Sequence, residues 1–196
     1  YIDIFYFADS FGSLKIAEVK KLSENIKKKF SIPFGIHAHD NLSTALKNSI
    51  LSIKSGASWV DGTVLGMGRG PGNTKTEKLM NSTFLNKRIE IKKKNFSHLV
   101  SQFRLLKNKF KWGTNIFYKF SGKNKIHPTY IQMLMSDKRI NNKNIMSILK
   151  NITKSKSKKF DPNELYSATI FYKKNINNLR KIQSDFLNKY NNFIII

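Results

Sequence analysis

The sequence predicts an α/β fold with a parallel sheet, because apolar runs of strand length alternate with segments of helical periodicity. Three strand-then-helix units follow one another at the start of the chain. Their predicted strands are 1–8, 32–36 and 57–64, and their predicted helices are 13–30, 42–54 and 74–85. Short connections between such units place the strands in parallel and pack the helices against the sheet.

The helices of these units are predicted from apolar residues that recur on one helical face. In the first helix they are Leu14, Ile16, Ala17, Val19, Leu22 and Ile26. In the second they are Ala45, Leu46, Ile50 and Ile53. The third helix follows a glycine-rich loop at 66–73.

Beyond this region the pattern becomes helical only. The basic stretch 87–94 is the predicted boundary between a first domain at 1–88 and a helical C-terminal domain at 95–196. Its predicted helices are 96–110, 128–135, 144–152, a segment that starts at Asp161-Pro162, and 177–190. Proline suits the first turn of a helix, which supports the starts at Pro128 and Pro162.

Composition excludes several classes of protein. The 196 residues are 40% hydrophobic, which is enough to build a core. The chain has no cysteine, so disulfides, thiolate metal sites and a cysteine nucleophile are excluded. No apolar run approaches the ~20 residues of a membrane span. A cytoplasmic protein without a membrane partner is expected.

The net charge of +24 is unevenly distributed along the chain. Residues 1–80 contain 11 Lys/Arg and 7 Asp/Glu, a balance of +4, whereas residues 81–196 contain 25 and 5, a balance of +20. The lysines occur with many Asn and Ile residues, which indicates biased codon usage on a solvated surface. Attraction for anionic partners is the alternative that the charge leaves open.

Each predicted strand ends in a polar cluster. Asp9-Ser10 follows the first strand, His37-Ala38-His39 follows the second, and Asp61 precedes the glycine-rich loop. Residues two apart in a strand share a face, so both imidazoles can reach one metal ion. Polar groups that converge at one end of a parallel sheet are typical of a β/α-barrel site.

These motifs resemble those of the metal-dependent pyruvate aldolase and acyl-lyase superfamily, the HMG-CoA lyase-like DRE-TIM metallolyases. The resemblance covers residues 1–80 and rests on three runs in order and at the right spacing, namely 8–12, 35–42 and 60–73 with Glu77. The pattern is most similar to the 4-hydroxy-2-oxovalerate aldolase branch. It implies strands six to eight of a TIM barrel, so about three βα units of its C-terminal part, followed by an α-helical domain.

The resemblance also implies roles for particular residues. His37 and His39 match the two histidine ligands, and Asn73 matches a ligand or near-ligand of a divalent metal, Mn²⁺ or Mg²⁺ with Zn²⁺ or Co²⁺ as alternatives. Asp9 and Ser10 match a polar pair that lies either beside the substrate or next to the ligating residues, and Arg69 is implied as a partner for a carboxylate. Asp61 is expected to tie down the loop, and Tyr118 is the candidate general acid, in a segment where Asn115 stands at the position expected for tyrosine.

Other parts of the family pattern are missing from this chain. The aspartate ligand of the first barrel strand, the adjacent arginine and the catalytic base belong to a region that the chain does not contain. The acyl-CoA lyase branch has a cysteine in the glycine-rich loop, where this chain has Met67 and Arg69. The aldolase branch is therefore favoured, and the chain by itself is expected to be inactive.

The predicted function is a carbon–carbon lyase that cleaves or forms 4-hydroxy-2-oxo acids through a pyruvate enolate. Its expected partners are a small 2-oxo acid substrate and, for the full-length protein, a second copy or a dehydrogenase, but no nucleic acid. A Claisen-type synthase that joins an acyl-CoA to a 2-oxo acid is an alternative within the superfamily. A non-catalytic RNA- or anion-binding protein that uses residues 87–196 is the alternative from another class.

Overall fold

The computed structural model describes residues 2–82, 93–152 and 158–170, with the backbone alone at 93–95. Its strands are β1 (Phe5–Asp9), β2 (Phe34–Ala38) and β3 (Trp59–Val60). Its helices are α1 (Ile16–Lys29), α2 (Ala45–Lys54), α3 (Thr76–Met80), α4 (Lys93–Phe110), α5 (Ile116–Asn124), α6 (Pro128–Ser136), α7 (Asn142–Asn151) and α8 (Pro162–Ile170).

The three strands form one parallel sheet in the order β1-β2-β3, which confirms the predicted α/β fold and parallel pairing. Tyr6 of β1 is level with Gly35 of β2, which in turn is level with Trp59 of β3. Two residues further along, Ala8 is level with His37. This register determines which side chains meet on each face of the sheet.

One face of the sheet packs against α1 and α2. Its buried residues form two clusters, Val19, Ile36, Ala38 and Ala45 in one and Ile26, Phe34 and Ala57 in the other. Phe7 packs against both clusters. Since side chains alternate along a strand, the opposite face carries Tyr6, His37 and Trp59. We call this the open face of the sheet.

The strand bounds differ from the predicted ones for local reasons. β2 begins after Pro33, which has no N–H to give to a ladder, although its carbonyl accepts the N–H of Phe5 at 3.0 Å. β3 has only two residues, yet the N–H of Asp61 still donates to the carbonyl of Ile36 at 3.1 Å. β2 ends two residues later than predicted, whereas β3 is shorter than predicted at both ends.

Helices after the sheet match the predicted segments, with one addition. α4, α6, α7 and α8 lie within or close to the predicted ranges, whereas α5 was not predicted. The helix predicted at 177–190 lies outside the described residues. So does most of the predicted boundary at 87–94, and the division into domains at 1–88 and 95–196 stays a prediction.

Two compact units make up the chain, Tyr1–Pro128 and Thr129–Ile196. The second unit has its own core, formed by Tyr130, Ile131, Leu134, Ile145, Ile148, Leu149, Ile152, Leu165 and Ala168. The Tyr130 hydroxyl donates to the carbonyl of Lys159 at 3.2 Å and accepts the N–H of Asp161 at 3.0 Å. In the described part of the chain, no helix has the length and apolar character needed to cross a membrane.

Candidate metal and substrate site

The end of β2 brings His37 and His39 together. His37 is in β2, and His39 lies just beyond it, where its backbone pairs with Asn73 of the glycine-rich loop. The two imidazole centroids are 4.8 Å apart, with the ring planes at 76°. The predicted pair is therefore adjacent and on one side of the strand.

His39 is held by the backbone of β1. Its Nδ1 donates to the carbonyl oxygen of Asp9 at 2.9 Å, since a carbonyl can only accept. Burial lowers the pKa of His39, and the charges of His37 and Arg69 lower it further, against the opposing effects of the Asp9 carbonyl and carboxylate. The ring is thus favoured in its neutral form, with Nε2 carrying the lone pair that a metal ligand needs.

His37 is held by a side chain instead. Its Nδ1 lies 2.9 Å from Oδ2 of Asp61, which follows β3. A carboxylate accepts hydrogen bonds and does not donate them, so the proton of the neutral ring resides on Nδ1. Both histidines therefore use Nδ1 for support and leave Nε2 for a ligand, as metal-binding histidines do.

Asp9 uses its carboxylate to shape the loop between β1 and α1. Its two oxygens accept the N–H groups of Ser13 at 2.9 Å and Leu14 at 3.1 Å. The side chain is buried, and burial raises its pKa while these two hydrogen bonds lower it. Ser10 is exposed in the turn that follows. Asp9 thus fixes both the loop and the carbonyl that holds His39.

The glycine-rich loop presents Asn73 beside His39. The Asn73 amide Nδ2 donates a hydrogen bond to the carbonyl of Met67 at 3.3 Å. The amide oxygen Oδ1 is the atom that could ligate a cation. A Cβ at Gly68 would lie 2.6 Å from that nitrogen, so only glycine lets the amide lie this close to the loop. The loop therefore adds an oxygen of the kind that divalent cations accept.

Arg69 is exposed on the same loop and acts electrostatically on two histidines. Its charge lowers the pKa of both His39 and His127, in each case after the larger effect of burial. His127 lies edge-on to Phe11, with the ring centroids 6.3 Å apart. A cationic side chain thus stands close to the histidine pair, where it can attract an anionic substrate.

The segment from Trp112 to Ser121 is attached to the loops of the site by hydrogen bonds. The indole N–H of Trp112 donates to the carbonyl of Leu65 at 3.1 Å. The hydroxyl of Thr114 donates to the carbonyl of Asn41 at 2.9 Å. The buried Asn41 side chain donates in turn to the hydroxyl of Ser121 at 3.1 Å. α5 is therefore fixed to the ends of the strands.

Three residues of this region were not predicted to take part in it: Asn41, His127 and Tyr6, whose pKa is raised by burial and by the charge of Asp61. The predicted acid, Tyr118, is buried in α5, whose N-cap Asn115 accepts the N–H groups of Phe117 and Tyr118. Asn115 is the sequence signal from which α5 could have been found. Asp40 accepts the N–H of Ala45 at 3.1 Å and so supports the start of α2.

The described residues meet part of the requirement for a metal site. They contain no group of three or more His, Cys, Asp or Glu side chains that could hold an ion. Two neighbouring imidazoles and the Asn73 amide oxygen nevertheless form a donor set of the right chemistry for a divalent cation. These three groups fit a divalent cation and would supply part of its coordination shell.

A family model and two curated relatives point to the same family of proteins. The family model described as HMGL-like matches residues 2–101. The 4-hydroxy-2-oxovalerate aldolase of Carboxydothermus hydrogenoformans is 44% identical over 78 residues, which are 40% of this chain and 23% of that protein. The protein of that name from Brevibacillus brevis is 41% identical over 78 residues, with the same coverage. The match thus spans just under a quarter of these relatives.

Solved structures agree with these relatives. The N-terminal domain of an aldolase-like protein from Bacteroides vulgatus superposes with a TM-score of 0.63 and 35% identity, over 70% of this chain and 46% of that one. The carboxyl transferase domain of Rhizobium etli pyruvate carboxylase shares the fold, with a TM-score of 0.59 and 13% identity over 83% of this chain and 27% of that one. Because the family model covers 100 of the 196 residues and includes both histidines and the glycine-rich loop, the chain belongs to the HMGL-like family.

Proposed function

We propose that this chain forms the metal-binding end of a carbon–carbon lyase that cleaves or forms 4-hydroxy-2-oxo acids. The observation that carries the proposal is the pair of imidazoles at the end of β2, each held through Nδ1 so that Nε2 can serve as the ligand atom. The aldolase names of the relatives support the reaction class. A pyruvate unit is the common part of such substrates.

His37 and His39 would hold the ion, with Asn73 as a further oxygen ligand. When bound, a divalent ion would supply Lewis acidity next to the 2-oxo group of the substrate. Mn²⁺ or Mg²⁺ is the metal we propose, and Zn²⁺ or Co²⁺ would suit the imidazoles as well.

The remaining work of the chain is to bind and orient the substrate. Arg69 would pair with the substrate carboxylate, and its electrostatic effect on both His39 and His127 supports this role. Burial keeps His39 neutral, so it does not repel a cation. The base that takes the 4-hydroxyl proton is expected outside this chain, and Tyr118 is the proposed acid that returns a proton to carbon.

We also propose that the sheet is the last part of a β/α barrel, namely strands six to eight. Three of eight units of a barrel of ~250 residues correspond to roughly 94 residues, close to the predicted boundary. The intact mass of the protein in its own cells tests this. A mass well above 22.7 kDa, by about five further βα units, supports it, and a mass of 22.7 kDa contradicts it.

The reaction itself is tested with the protein as its own cells make it. Pyruvate release from 4-hydroxy-2-oxovalerate is followed through lactate dehydrogenase, with added Mn²⁺ and without CoA. We expect His37→Ala and His39→Ala to lower the rate to background and His98→Ala, an exposed histidine on α4, to leave it unchanged. Undiminished cleavage in the first two variants contradicts the proposal, and a strict need for an acyl-CoA indicates the Claisen-type synthase instead.

A further inference from the structure

We infer that Tyr6 is a positioning residue that acts through Asp61 to hold the His37 imidazole in one tautomer and one orientation. The consequence for metal binding rests on the proposed function, whereas the effect on the imidazole does not. His37, Asp61 and Tyr6 come from three neighbouring strands or strand ends. The bond from His37 to Asp61 is 2.9 Å long, and in the inferred arrangement the Tyr6 hydroxyl is a second donor to the same carboxylate.

Register places the three residues in two adjacent rows. Tyr6, Gly35 and Trp59 are level with one another, and Ala8 and His37 are level two residues nearer the polar end. Asp61 follows β3 directly and keeps a ladder hydrogen bond to Ile36, so it lies near the second row. Tyr6 must therefore reach across β2 to meet Asp61.

Gly35 makes that reach possible. A Cβ at this position would lie 2.5 Å from both Cε1 and Cζ of Tyr6 and 2.9 Å from the Cβ of Trp59. Real Cβ atoms do not approach other atoms this closely, so any side chain at residue 35 would push the Tyr6 ring away. The absence of a side chain there lets the phenol cross the central strand.

The hydrogen-bond roles in the chain follow from chemistry. The Asp61 carboxylate only accepts, so the Nδ1–H of His37 donates to it, and in the inferred arrangement the Tyr6 hydroxyl donates to it as well. Burial raises the pKa of Tyr6, and the charge of Asp61 and the hydrogen bond to it raise that pKa further. The phenol therefore keeps the proton that it donates.

The two histidines differ in the kind of group that accepts their Nδ1–H. His39 is held by the Asp9 carbonyl, which is part of the rigid sheet backbone. His37 depends on a carboxylate whose side chain is 48% exposed, so water competes for its hydrogen bonds. The second hydrogen bond, from Tyr6, restrains that carboxylate. Tyr6 thus supplies for His37 what the backbone supplies for His39.

The test uses the metal-free protein and two-bond ¹H–¹⁵N NMR, with the four histidines of this chain assigned by single His→Gln variants. In the unaltered protein we expect both His37 and His39 as the Nδ1–H tautomer. Tyr6→Phe should shift His37 toward a mixture of tautomers and leave His39 unchanged. Gly35→Ala, which keeps the hydroxyl but displaces the ring, should do the same. Tyr166→Phe is the matched control in the second unit and should change neither.

A His37 signal in Tyr6→Phe that is identical to that of the unaltered protein overturns the inference. Asp61→Ala measures the largest change that loss of support can produce, and a His37 signal unchanged in that variant overturns the inference as well. Because these readouts need no metal, they are independent of the proposed function.

Mn²⁺ affinity then separates the two proposals. We expect Asp61→Asn to weaken binding by about 10- to 100-fold, as loss of a ligand's supporting partner does, and Tyr6→Phe to weaken it less. A changed tautomer together with Mn²⁺ binding that is indifferent to His37→Gln supports the positioning of His37 and refutes its role as a ligand.

Discussion

Single residues of the site differ in how firmly their partners hold them. His39 and the loop before α1 both depend on Asp9, through its carbonyl and its carboxylate respectively. One aspartate thus links the first strand, the loop and a proposed ligand. Its effect on stability and its effect on the histidine can be measured separately.

Asp9→Ala should lower the free energy of unfolding by about 1–3 kcal/mol, because it leaves two backbone N–H groups without acceptors. Denaturant unfolding followed by Trp59 and Trp112 fluorescence reports on the unit that contains Asp9. Ser10→Ala in the same turn is exposed and should change stability by less than about 0.5 kcal/mol. Equal stabilities of the two variants would refute the structural role of Asp9.

The free energy of unfolding should depend on pH through His127. Burial lowers its pKa and the Arg69 charge lowers it further, so the unfolded chain takes up a proton at a higher pH than the folded chain does. Stability should therefore fall as pH drops below about 6.5, the ordinary pKa of histidine.

Denaturant unfolding at pH 7.5 and 5.5 measures this fall. His127→Gln should reduce the loss between the two pH values, although part of it remains because burial lowers the pKa of His39 as well. His98→Gln, exposed on α4, is the control. A loss of equal size in His127→Gln and the unaltered chain would contradict the expectation.

Among the elements, the strand-end pattern predicted that polar residues lie at one edge of the sheet, because parallel pairing makes the carboxyl ends of the strands adjacent. There His37 contacts Asp61, and His39 contacts the carbonyl of Asp9, whereas the Asp9 carboxylate binds the loop before α1. The inferred contact between Tyr6 and Asp61 could not be predicted in this way, because it depends on strand register and on the missing side chain at Gly35.

α5 was missed for a different reason. It has nine residues and contains Gly122, so its helical signal is weak. Its position depends on Asn41, whose amide and carbonyl bind Ser121 and Thr114 across more than 70 residues of sequence. The closeness of His127 to Phe11 follows from this docking, and local periodicity contains no information about it.

Asn41→Ala should test how strongly α5 is docked. It removes a fully buried amide and its hydrogen bond to Ser121, and we expect a loss of about 1–3 kcal/mol in the free energy of unfolding. Asn144→Ala, at an exposed position of α7, is the matched control and should change little. Comparable effects of the two substitutions would mean that Asn41 does not anchor the helix.

For the whole molecule, the uneven charge is the feature that the proposed lyase does not explain. The balance of +20 in residues 81–196 would favour nucleic acids if it formed a binding surface. We expect it to act only as a weak, general attraction for anions.

RNA binding measured by fluorescence anisotropy at several salt concentrations tests this expectation. Any binding should be weak near physiological salt, in the range of about 10⁻⁴–10⁻⁶ M that is typical of non-specific contacts. It should also be unaffected by His37→Ala. Tight binding that persists at that salt concentration would favour the RNA-binding alternative.

Mn²⁺ binding to the metal-free protein tests the central claim most directly, by electron paramagnetic resonance of the free ion. The account predicts that His37→Ala and His39→Ala each weaken binding by at least about tenfold. His98→Ala should bind Mn²⁺ as the unaltered protein does. Equal Mn²⁺ affinity in all three variants and the unaltered protein would show that the histidine pair at the end of β2 does not hold the metal.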